Sequence, residues 1–396
     1  MNDKLYLIKL GEISLKGGNR HTFEKLLREN IREKLSEYNP KFEYQKGRIF
    51  LYVDQDTPDE VVTKALSTTF GLSGWAKAYE CEKDEGKLFG KIDEILPCLS
   101  FKNEGSFKID ARREDKSFPL SSYQVACKAA EVVSKHYPSL SVDLKNPTYT
   151  LFIEVRQKIY IYTEGEKGIG GLPVKSAGSA LLLLSGGIDS PVASYLAAKR
   201  GLKLDFLYFH AYPYTSDEAL EKVKKLASIV APYTSGARLF VLPFTDAQLE
   251  IKRKSHVDET TLMFRAAMME SAEKLSKRIG AKAIVTGESL SQVASQTLDA
   301  MVFTDSETEM LVLRPLLTYD KEEIITISKR IGTYETSILP YEDCCVIFSP
   351  KHPLTHPVKS IMKEHYNALS LSSEIDKAME NMMVFYYDEW GKEVDK

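Results

Sequence analysis

A run of four leucines that ends in a glycine turn constrains this chain more than any other feature. Residues 180–196 read ALLLLSGGIDSPVASYL. A continuous apolar run is typical of a strand buried on both faces, and the small residues after the turn are typical of a closely packed helix. Pro191 falls in the first turn of the predicted helix, where proline is tolerated because the N–H groups there have no intrahelical partner. The stretch therefore predicts a strand, a tight turn and a helix in that order.

The sequence after residue 180 repeats this alternation. Apolar strand patterns such as LDFLYF, RLFVLPF and AKAIVTG are separated by helical patterns such as TTLMFRAAMMESAEKLSKRIG. Alternation of this kind predicts an α/β fold with a doubly wound, mainly parallel sheet, in which ligands bind beyond the carboxyl ends of the strands. We expect residues 180–396 to form this domain, with a terminal amphipathic helix over residues 369–396.

The sequence before residue 180 predicts two small α+β units and a linker. Residues 1–58 hold the strand patterns KLYLIKL and RIFLYV around a helix, and residues 59–165 continue with helices, strands and a final strand pair, TLFIEVRQKIYIYTE. Residues 166–179 lie in a glycine-rich stretch without apolar periodicity, which we interpret as a linker.

Charge and cysteine content limit the classes of function. The net charge of −3 means that any attraction to nucleic acid must come from a local basic surface. The five cysteines, at positions 81, 98, 127, 344 and 345, are an odd number without CxxC spacing, which favours a reducing, cytoplasmic setting. We expect the first three of them to be core residues. No apolar stretch reaches the length of a membrane span, so we expect no membrane partner.

The glycine turn itself points to a phosphate-bearing ligand. SGGIDS lacks the Lys-Ser/Thr pair of a P-loop and the spacing of a dinucleotide fingerprint. What remains is a pair of backbone N–H groups at Gly186 and Gly187, flanked by the hydroxyls of Ser185 and Ser190 at a helix start, which suits an anion. Asp189 could hold Mg²⁺ against a pyrophosphate or orient a neighbouring group, or it could be a simple helix N-cap.

An SGGxDS turn after a hydrophobic strand resembles the signature of the PP-loop ATP pyrophosphatase family, whose members adenylate a carbonyl oxygen and release pyrophosphate. Over essentially its whole length the chain is similar to the tRNA uridine 4-sulfurtransferases of that family. Besides SGGIDS, five blocks carry the resemblance. In chain order they are GEISLKGGNR (11–20), SFKIDARREDKSFPLSS (106–122), TGESLSQVASQT (286–297), LRPLLTYDKEEI (313–324) and EDCCVIFSPKHP (342–353). The second block is similar to the core of a THUMP RNA-binding domain, and the resemblance implies a ferredoxin-like domain before it.

The resemblance also implies nucleotide contacts. Besides the turn residues Ser185, Gly186, Gly187 and Ser190, they are Leu183, Leu184, Tyr208, Phe209, Arg265, Gly287 and Gln296. The residues alone leave other interpretations open: the aromatic pair as core, the arginine as part of a structural salt bridge, the glycine as a turn residue and the glutamine as a surface amide.

Three residues carry the implied chemistry, namely Asp189, Lys321 and Cys344. Lys321 follows Asp320, an N-cap candidate with Glu323 three residues later, so it falls in a first helical turn where a cation is unfavourable. This hints at an anionic partner such as a phosphate, although an exposed lysine is the alternative. The resemblance makes Cys344 the carrier of a persulfide, with Cys345 as the second choice.

Two basic groups are candidates for tRNA contact. Lys16, Asn19 and Arg20 surround a Gly-Gly turn, where their donors suit phosphate oxygens, and ordinary loop and cap roles are the alternative. The second group lies beside Phe118 and Tyr123 and consists of Lys108, Arg112, Arg113 and Lys116. Nearby acidic residues nearly cancel its charge, so a salt-bridged surface remains an alternative.

Taken together, the resemblance implies ATP-dependent transfer of sulfur to uridine 8 of tRNA, with ATP and Mg²⁺ as cofactors. No cysteine follows Cys345, so we expect no C-terminal rhodanese relay and expect a separate cysteine desulfurase to supply sulfur. Transfer to the sulfur-carrier protein of thiamine thiazole synthesis and a homodimeric state stay open. So do two other classes, a different PP-loop adenylating enzyme and a non-catalytic RNA-binding protein.

Overall fold

The structure is a computed structural model that describes residues 3–45, 47–341 and 350–395. The chain divides into two compact units. The first runs up to Glu24 and from Leu35 to Gly170, and the second comprises Lys25–Lys34 and the chain from Gly171 onward. Within the described residues, no helix is long and apolar enough to cross a membrane.

The first unit is built on one mixed sheet. Its strands β1–β9 are Lys4–Leu10, Lys41–Gln45, Arg48–Val53, Leu72–Cys81, Ser106–Arg113, Ser141–Val142, Tyr149–Val155, Ile159–Tyr162 and Glu166–Lys167. Helices α1–α4 are Arg20–Lys34, Asp59–Ser67, Glu85–Ile95 and Ser122–His136, the last residues of α1 being counted with the second unit. The strand order is β2-β3-β1-β4-β8-β7-β5-β6, with β9 also paired to β4. Because β4 pairs with β1 on one side and β8 on the other, it joins the two predicted α+β units into a single sheet.

The glycine-rich segment interpreted as a linker begins inside this sheet. Strand β9 pairs with Gly74 and Trp75 of β4. A Cβ at Gly165 would overlap the carbonyl oxygen of Trp75, and one at Gly168 would overlap that of Leu72. These glycines are therefore required by close backbone approach, which periodicity in the sequence does not reveal.

Two of the cysteines expected in the core of the first unit are not there. Cys98 and Cys127 are exposed, and Cys81 is half-buried. The expectation is wrong for Cys98 and Cys127. Cys98 ends a short 3-10 turn, and Cys127 lies on a face of α4 other than the one buried through Val125, Ala129 and Val133. Burial raises the pKa of Cys81 to about 11, so this thiol stays protonated at neutral pH.

The second unit contains the predicted doubly wound, mainly parallel sheet. Strands β10–β16 are Ser179–Leu183, Lys203–His210, Ala237–Pro243, Ala283–Val285, Leu311–Leu313, Met383–Tyr387 and Glu393–Val394. Helices α5–α13 are Asp189–Lys199, Asp217–Val230, Thr245–Lys254, Thr260–Ile279, Leu298–Asp305, Lys321–Ile331, Tyr334–Ser337, Lys359–Leu369 and Ser372–Glu380. The strand order is β14-β13-β10-β11-β12-β15-β16, and the first five strands are parallel.

Strand β10 occupies the topological switch point of this sheet. The chain leaves β10 through α5 to its neighbour β11, and the neighbour on its other side is the later strand β13. Helix α5 is buried along most of its length, which explains its small, weakly amphipathic sequence. The Ser-Gly-Gly turn thus lies where doubly wound sheets bind ligands.

The predicted terminal amphipathic helix is wrong in its second half. Helix α13 ends at Glu380, and the chain continues as β15, antiparallel to β12 with Phe385 opposite Leu239. The segment MVFYY combines β-branched and aromatic residues, which favour a strand, and it pairs with what would otherwise be an open edge at β12.

Candidate active site

The turn after β10 is closed by its two serines. The backbone N–H of Ser185 donates to Ser190 Oγ at 2.8 Å, and the two hydroxyl oxygens lie 3.1 Å apart. The N–H of Gly187 donates to Ser185 Oγ at 3.3 Å. Helix α5 begins at Asp189, with Ile188 at the N-cap position and no side-chain cap. Asp189 is therefore not the N-cap of α5, and its carboxylate serves other partners.

A cavity of about 250 Å³ opens at the carboxyl ends of β10, β11 and β13. Nine of the eleven predicted nucleotide contacts line it: Leu183, Leu184, Ser185, Ser190, Tyr208, Phe209, Arg265, Gly287 and Gln296. Asp189 lines it as well, whereas Gly186 and Gly187 belong to the adjoining turn without lining the cavity. Tyr208 and Phe209 are only 2% and 5% exposed, so they serve the core and the cavity wall at once.

Four lining residues have no counterpart among the predicted contacts: Met268, Met269, Thr286 and Glu288. The two methionines follow Arg265 in α8 by three and four positions and so share its helix face. That spacing could have indicated from the sequence that the two methionines lie beside Arg265. The pattern of β13 could not indicate the role of Glu288, which depends on partners far along the chain.

Arg265 and Gln296 in the cavity wall each carry a buried polar atom that has no hydrogen-bond partner among the described residues. These atoms are Nε of Arg265 and Oε1 of Gln296. A buried donor or acceptor without a partner is destabilising, so native structures rarely leave one without a reason. The pair offers a donor and an acceptor to a polar molecule in the cavity.

Arg265 is held in place by a buried network of charges. Its Nη2 donates to Glu288 Oε1, and Glu288 Oε2 accepts from Arg314 Nε and Thr286 Oγ1, both at 2.8 Å. Arg314 also donates to both carboxylate oxygens of Asp305, at 2.5 and 2.9 Å. Burial alone would raise the pKa of Glu288, but the guanidinium groups of Arg265 and Arg314 outweigh it and hold that pKa below its ordinary value. The structural salt bridge considered for Arg265 therefore exists, and it is made through Nη2, not through Nε.

The two predicted catalytic residues that the structure describes are in contact. Lys321 opens α10 behind the predicted cap: Asp320 accepts from the Glu323 N–H at 2.9 Å, and the capping box is complete. Lys321 Nζ donates to Asp189 Oδ1 at 2.6 Å, and Gln292 Nε2 donates to Asp189 Oδ2 at 3.0 Å. The anionic partner that the position of Lys321 indicates is thus a carboxylate at the cavity wall. Both side chains keep some exposure, 44% for Lys321 and 23% for Asp189.

Two glycines of the site differ in what surrounds them. A Cβ at Gly287 would lie 2.8 Å from the backbone nitrogen of Ser190, so this glycine lets β13 approach the first turn of α5. A Cβ at Gly187 would meet only Ser185 Oγ, at an ordinary 3.5 Å. The described protein atoms therefore leave room for a side chain at Gly187, whereas Gly287 is fixed by packing.

Cys344 and Cys345, the predicted persulfide carrier and its alternative, lie outside the described residues. Their assignments stay predictions.

The first predicted group of tRNA contacts lies at the start of α1. Arg20 Nε donates to Glu24 at 2.6 Å and Nη2 donates to Tyr44 Oη at 3.2 Å. Lys16 Nζ lies 3.8 Å from Glu12. Asn19 is exposed. The donors of this group are surface groups, two of them paired with carboxylates.

The second group lies on and after β5, and its members differ in environment. Arg112 is 64% exposed beside Asp110, and Lys116 is exposed, whereas Lys108 is half-buried. Arg113 Nη1 donates to the carbonyl oxygens of Phe118 and Leu120 at 2.8 and 3.0 Å, which holds the loop after β5 in place.

The aromatic residues beside this group do not form one surface. Phe118 is 2% exposed and belongs to the core, so it cannot stack on a base, whereas Tyr123 is 78% exposed. Reading Phe118 as part of a basic and aromatic surface is therefore wrong, because α3, α4 and the sheet bury it.

A cluster of four arginines in the first unit lies partly outside the predicted groups. Arg48, Arg112, Arg113 and Arg156 line a cavity of about 170 Å³ together with Glu114 and Glu154. The buried carboxylate of Glu154 accepts from Arg48 Nη2 at 3.1 Å and from Arg156 Nε at 2.7 Å. These side chains come from three strands and adjoining loops, so only the folded sheet brings them together.

The sheet topology, the cavity at its switch point and the serine-glycine turn define an α/β protein of the PP-loop class with ferredoxin-like and THUMP domains before it. Three family matches cover these parts: "ThiI ferredoxin-like domain" over residues 5–76, "THUMP domain" over 82–164 and "Thiamine biosynthesis protein (ThiI)" over 175–371. The domain boundaries expected near residues 58, 165 and 180 stay predictions.

Several relatives are similar to this chain over nearly its whole length. A protein of Lachnoclostridium phytofermentans named "Probable tRNA sulfurtransferase" is 41% identical over 96% of this chain and 97% of its own length. One of the same name from Caldanaerobacter subterraneus subsp. tengcongensis is 41% identical over 97% of this chain and 100% of its own. The crystal structure of a 4-thiouridine synthetase–RNA complex with bound ATP superimposes with a TM-score of 0.88 at 34% identity, over 97% of this chain and 99% of that one. The chain belongs to the tRNA sulfurtransferase (ThiI) family.

Proposed function

We propose that this enzyme uses ATP to convert uridine 8 of tRNA to 4-thiouridine. The observation that carries the proposal is the cavity at the end of β10, where a serine-glycine turn, two unpartnered polar atoms of Arg265 and Gln296 and the Asp189–Lys321 pair come together. A relative of similar fold is a 4-thiouridine synthetase with bound ATP and RNA, which supports both the nucleotide and the acceptor.

ATP fits this cavity with its phosphates toward the turn. The amino end of α5 suits an anion, and the ammonium of Lys321, bonded to Asp189 at that end, adds a positive charge. Tyr208 and Phe209 offer apolar wall to an adenine, while Arg265 Nε and Gln296 Oε1 offer a donor and an acceptor.

Asp189 is the residue that fits Mg²⁺. Mg²⁺ is commonly held by one or two carboxylates together with substrate phosphates, and Asp189 carries a partly exposed carboxylate at the cavity wall. Both oxygens of Asp189 accept bonds from exposed side chains, those of Lys321 and Gln292. The other lining carboxylate, Glu288, is buried and bonded to two arginines and a threonine. A bound Mg²⁺ would neutralise phosphate charge there.

The reaction proceeds in two transfers. The O4 oxygen of the uridine attacks the α-phosphorus, an O4–P bond forms, and the bond to the β-phosphate breaks to release pyrophosphate. The terminal sulfur of a Cys344 persulfide then attacks C4, and AMP leaves with O4. The resulting C4–S–S–Cys344 linkage is cleaved by a thiol reductant, which supplies two electrons and frees the 4-thiouridine sulfur. Lys321 stabilises the charge that develops on the departing pyrophosphate.

The first unit supplies the RNA-binding surface. Its exposed cations at Arg112 and Lys116, the partly exposed Lys16 and the arginine cluster suit phosphate contacts, and Tyr123 is an exposed aromatic ring. We propose a cysteine desulfurase as the sulfur donor, a cytoplasmic location, and a second role in sulfur transfer to the sulfur-carrier protein of thiazole synthesis. A homodimer is compatible with this scheme.

Replacing Cys344 with serine tests the scheme by separating its two transfers. We expect C344S to release pyrophosphate from ATP in the presence of tRNA while forming no 4-thiouridine, because only the second transfer needs the thiol. The assay combines a desulfurase, cysteine, ATP and a tRNA transcript, with the nucleosides analysed by mass spectrometry.

The matched control is C345S, which removes the adjacent thiol and is expected to keep thiolation. A transcript with cytidine at position 8 is expected to give no product. Normal thiolation by C344S would exclude the proposed role of Cys344, and thiolation of the cytidine-8 transcript would exclude the proposed target. Loss of 4-thiouridine from bulk tRNA of a deletion strain tests reaction and substrate together.

The different surroundings of Gly187 and Gly287 give a second prediction. We expect Gly187→Ala to fold normally, because the added Cβ has room, but to bind ATP about tenfold or more weakly, because the methyl group occupies space beside the phosphates. Gly287→Ala is expected to lower stability by about 1–3 kcal/mol by pushing against the backbone of α5. Calorimetric ATP titration and thermal unfolding of both variants check this contrast. Unchanged ATP affinity in Gly187→Ala would remove the turn from the phosphate site.

A further inference from the structure

We propose that a divalent transition-metal ion, with Zn²⁺ as the best match, binds to His256, Glu259 and His365. These residues lie in the second unit, and none of them lines the ATP cavity. One ligand atom from each of the three lies within 4.8 Å of the others. In the part of the chain that the structure describes, no other group of three or more His, Cys, Asp or Glu side chains brings its ligand atoms this close together.

The spacing of the donors is close to that of a metal site. His365 Nδ1 lies 2.9 and 3.1 Å from the two carboxylate oxygens of Glu259. Ligand atoms about 2.0–2.1 Å from a tetrahedral Zn²⁺ are roughly 3.3–3.4 Å apart, so this pair is already near the required separation. The His256 ring centroid is 5.2 Å from that of His365, and His256 is exposed, so a side-chain rotation brings its nitrogen closer.

The donor set selects the kind of ion. Two imidazoles and one carboxylate suit Zn²⁺ and related transition metals and leave a fourth position for water. Mg²⁺ and Ca²⁺ prefer oxygen ligands throughout, so they fit this group poorly. Glu259 is only 8% exposed, and a buried carboxylate is more favourable when a cation shares its surroundings.

The site would fasten together segments that are far apart in the sequence. Glu259 is the N-cap residue of α8, His256 lies in the turn before it, and His365 belongs to α12. Arg265 follows Glu259 by six residues, about 9 Å along the helix axis. An ion here would therefore fix the first turns of the helix that presents Arg265 to the cavity.

Zinc titration of the full chain tests this proposal. EDTA-treated protein is titrated with ZnCl₂ by calorimetry, and its melting temperature is measured with and without ZnCl₂. We expect about one equivalent to bind through this site and to raise the melting temperature. Both His256→Ala and His365→Ala are expected to weaken that binding about tenfold or more and to lose the thermal shift.

His356→Ala is the matched control. His356 Nδ1 lies 3.1 Å from Asp299, a histidine–carboxylate pair of the same kind that is not part of the triad, so this variant is expected to bind zinc like the wild type. Because His365→Ala also removes the contact with Glu259, the His256→Ala variant, which removes an exposed ring, guards against a merely structural effect. Absence of saturable binding in the wild type, or an equivalent retained by both triad variants, as when cysteines hold the ion, would overturn the site.

Discussion

Replacing Lys321 with methionine is expected to slow pyrophosphate release from ATP by about 10²–10³-fold while leaving the fold intact. In the proposed reaction, negative charge develops on the leaving pyrophosphate, and removal of one preorganised stabilising group from such a site costs about 2.7–4 kcal/mol of transition-state stabilisation. Lys321 is the cation that contacts Asp189, at 2.6 Å, beside the turn. ATP–pyrophosphate exchange with a tRNA transcript measures the effect.

Stability should move little in the same variant. The helix dipole disfavours a lysine in the first turn, by about 0.3–1 kcal/mol, and the partly exposed ion pair with Asp189 contributes a comparable amount in the opposite direction. Lys359 is a matched control because it also opens a helix and is exposed. Lys359→Met should retain full activity. Exchange by Lys321→Met within twofold of the wild type would place this ammonium outside the chemistry.

The sequence allowed the architecture of the second unit to be predicted because its signals are local. An apolar run, a glycine turn and a helical period each occupy a few neighbouring residues, and together they indicate a parallel sheet with its site at the end of β10. Strands β9 and β15 are two of the strands that were not predicted. The first depends on close backbone approach by Gly165 and Gly168, and the second on pairing with β12 across the chain.

The site was predictable only in part, for a related reason. Resemblance to a family located the cavity residues, whereas charge and periodicity left Arg265 with two interpretations. The structure shows the salt bridge, and the nucleotide contact stays a prediction. The partners of Glu288 lie 23 and 26 positions away at Arg265 and Arg314. Pairing over such distances follows from the packing of α8 against the sheet and leaves no local pattern in the sequence.

Replacing Glu288 with glutamine is expected to destabilise the second unit by about 3–5 kcal/mol, the typical result of breaking a buried ion pair from one side. Glu288 is 4% exposed and bonded to both Arg265 and Arg314. Glutamine keeps the shape but removes the charge, so Arg265 loses its carboxylate partner and Arg314 keeps only Asp305. A fall in melting temperature on the order of 10 °C should accompany the loss.

The pH dependence distinguishes a charge effect from a packing effect in this variant. Because the pKa of Glu288 in the folded protein lies below its ordinary value, its stabilising contribution is complete above about pH 4.3 and declines as the pH falls toward the folded-state pKa. The stability difference between wild type and Glu288→Gln should therefore shrink below about pH 4.3, whereas a packing defect would keep it constant. Glu250, whose carboxylate also lies between two cations, Arg253 and Lys254, but is reached by solvent, provides the matched control. Glu250→Gln should lower the melting temperature far less. Water can solvate the cations beside Glu250 once its charge is lost, whereas water does not reach the buried site of Glu288.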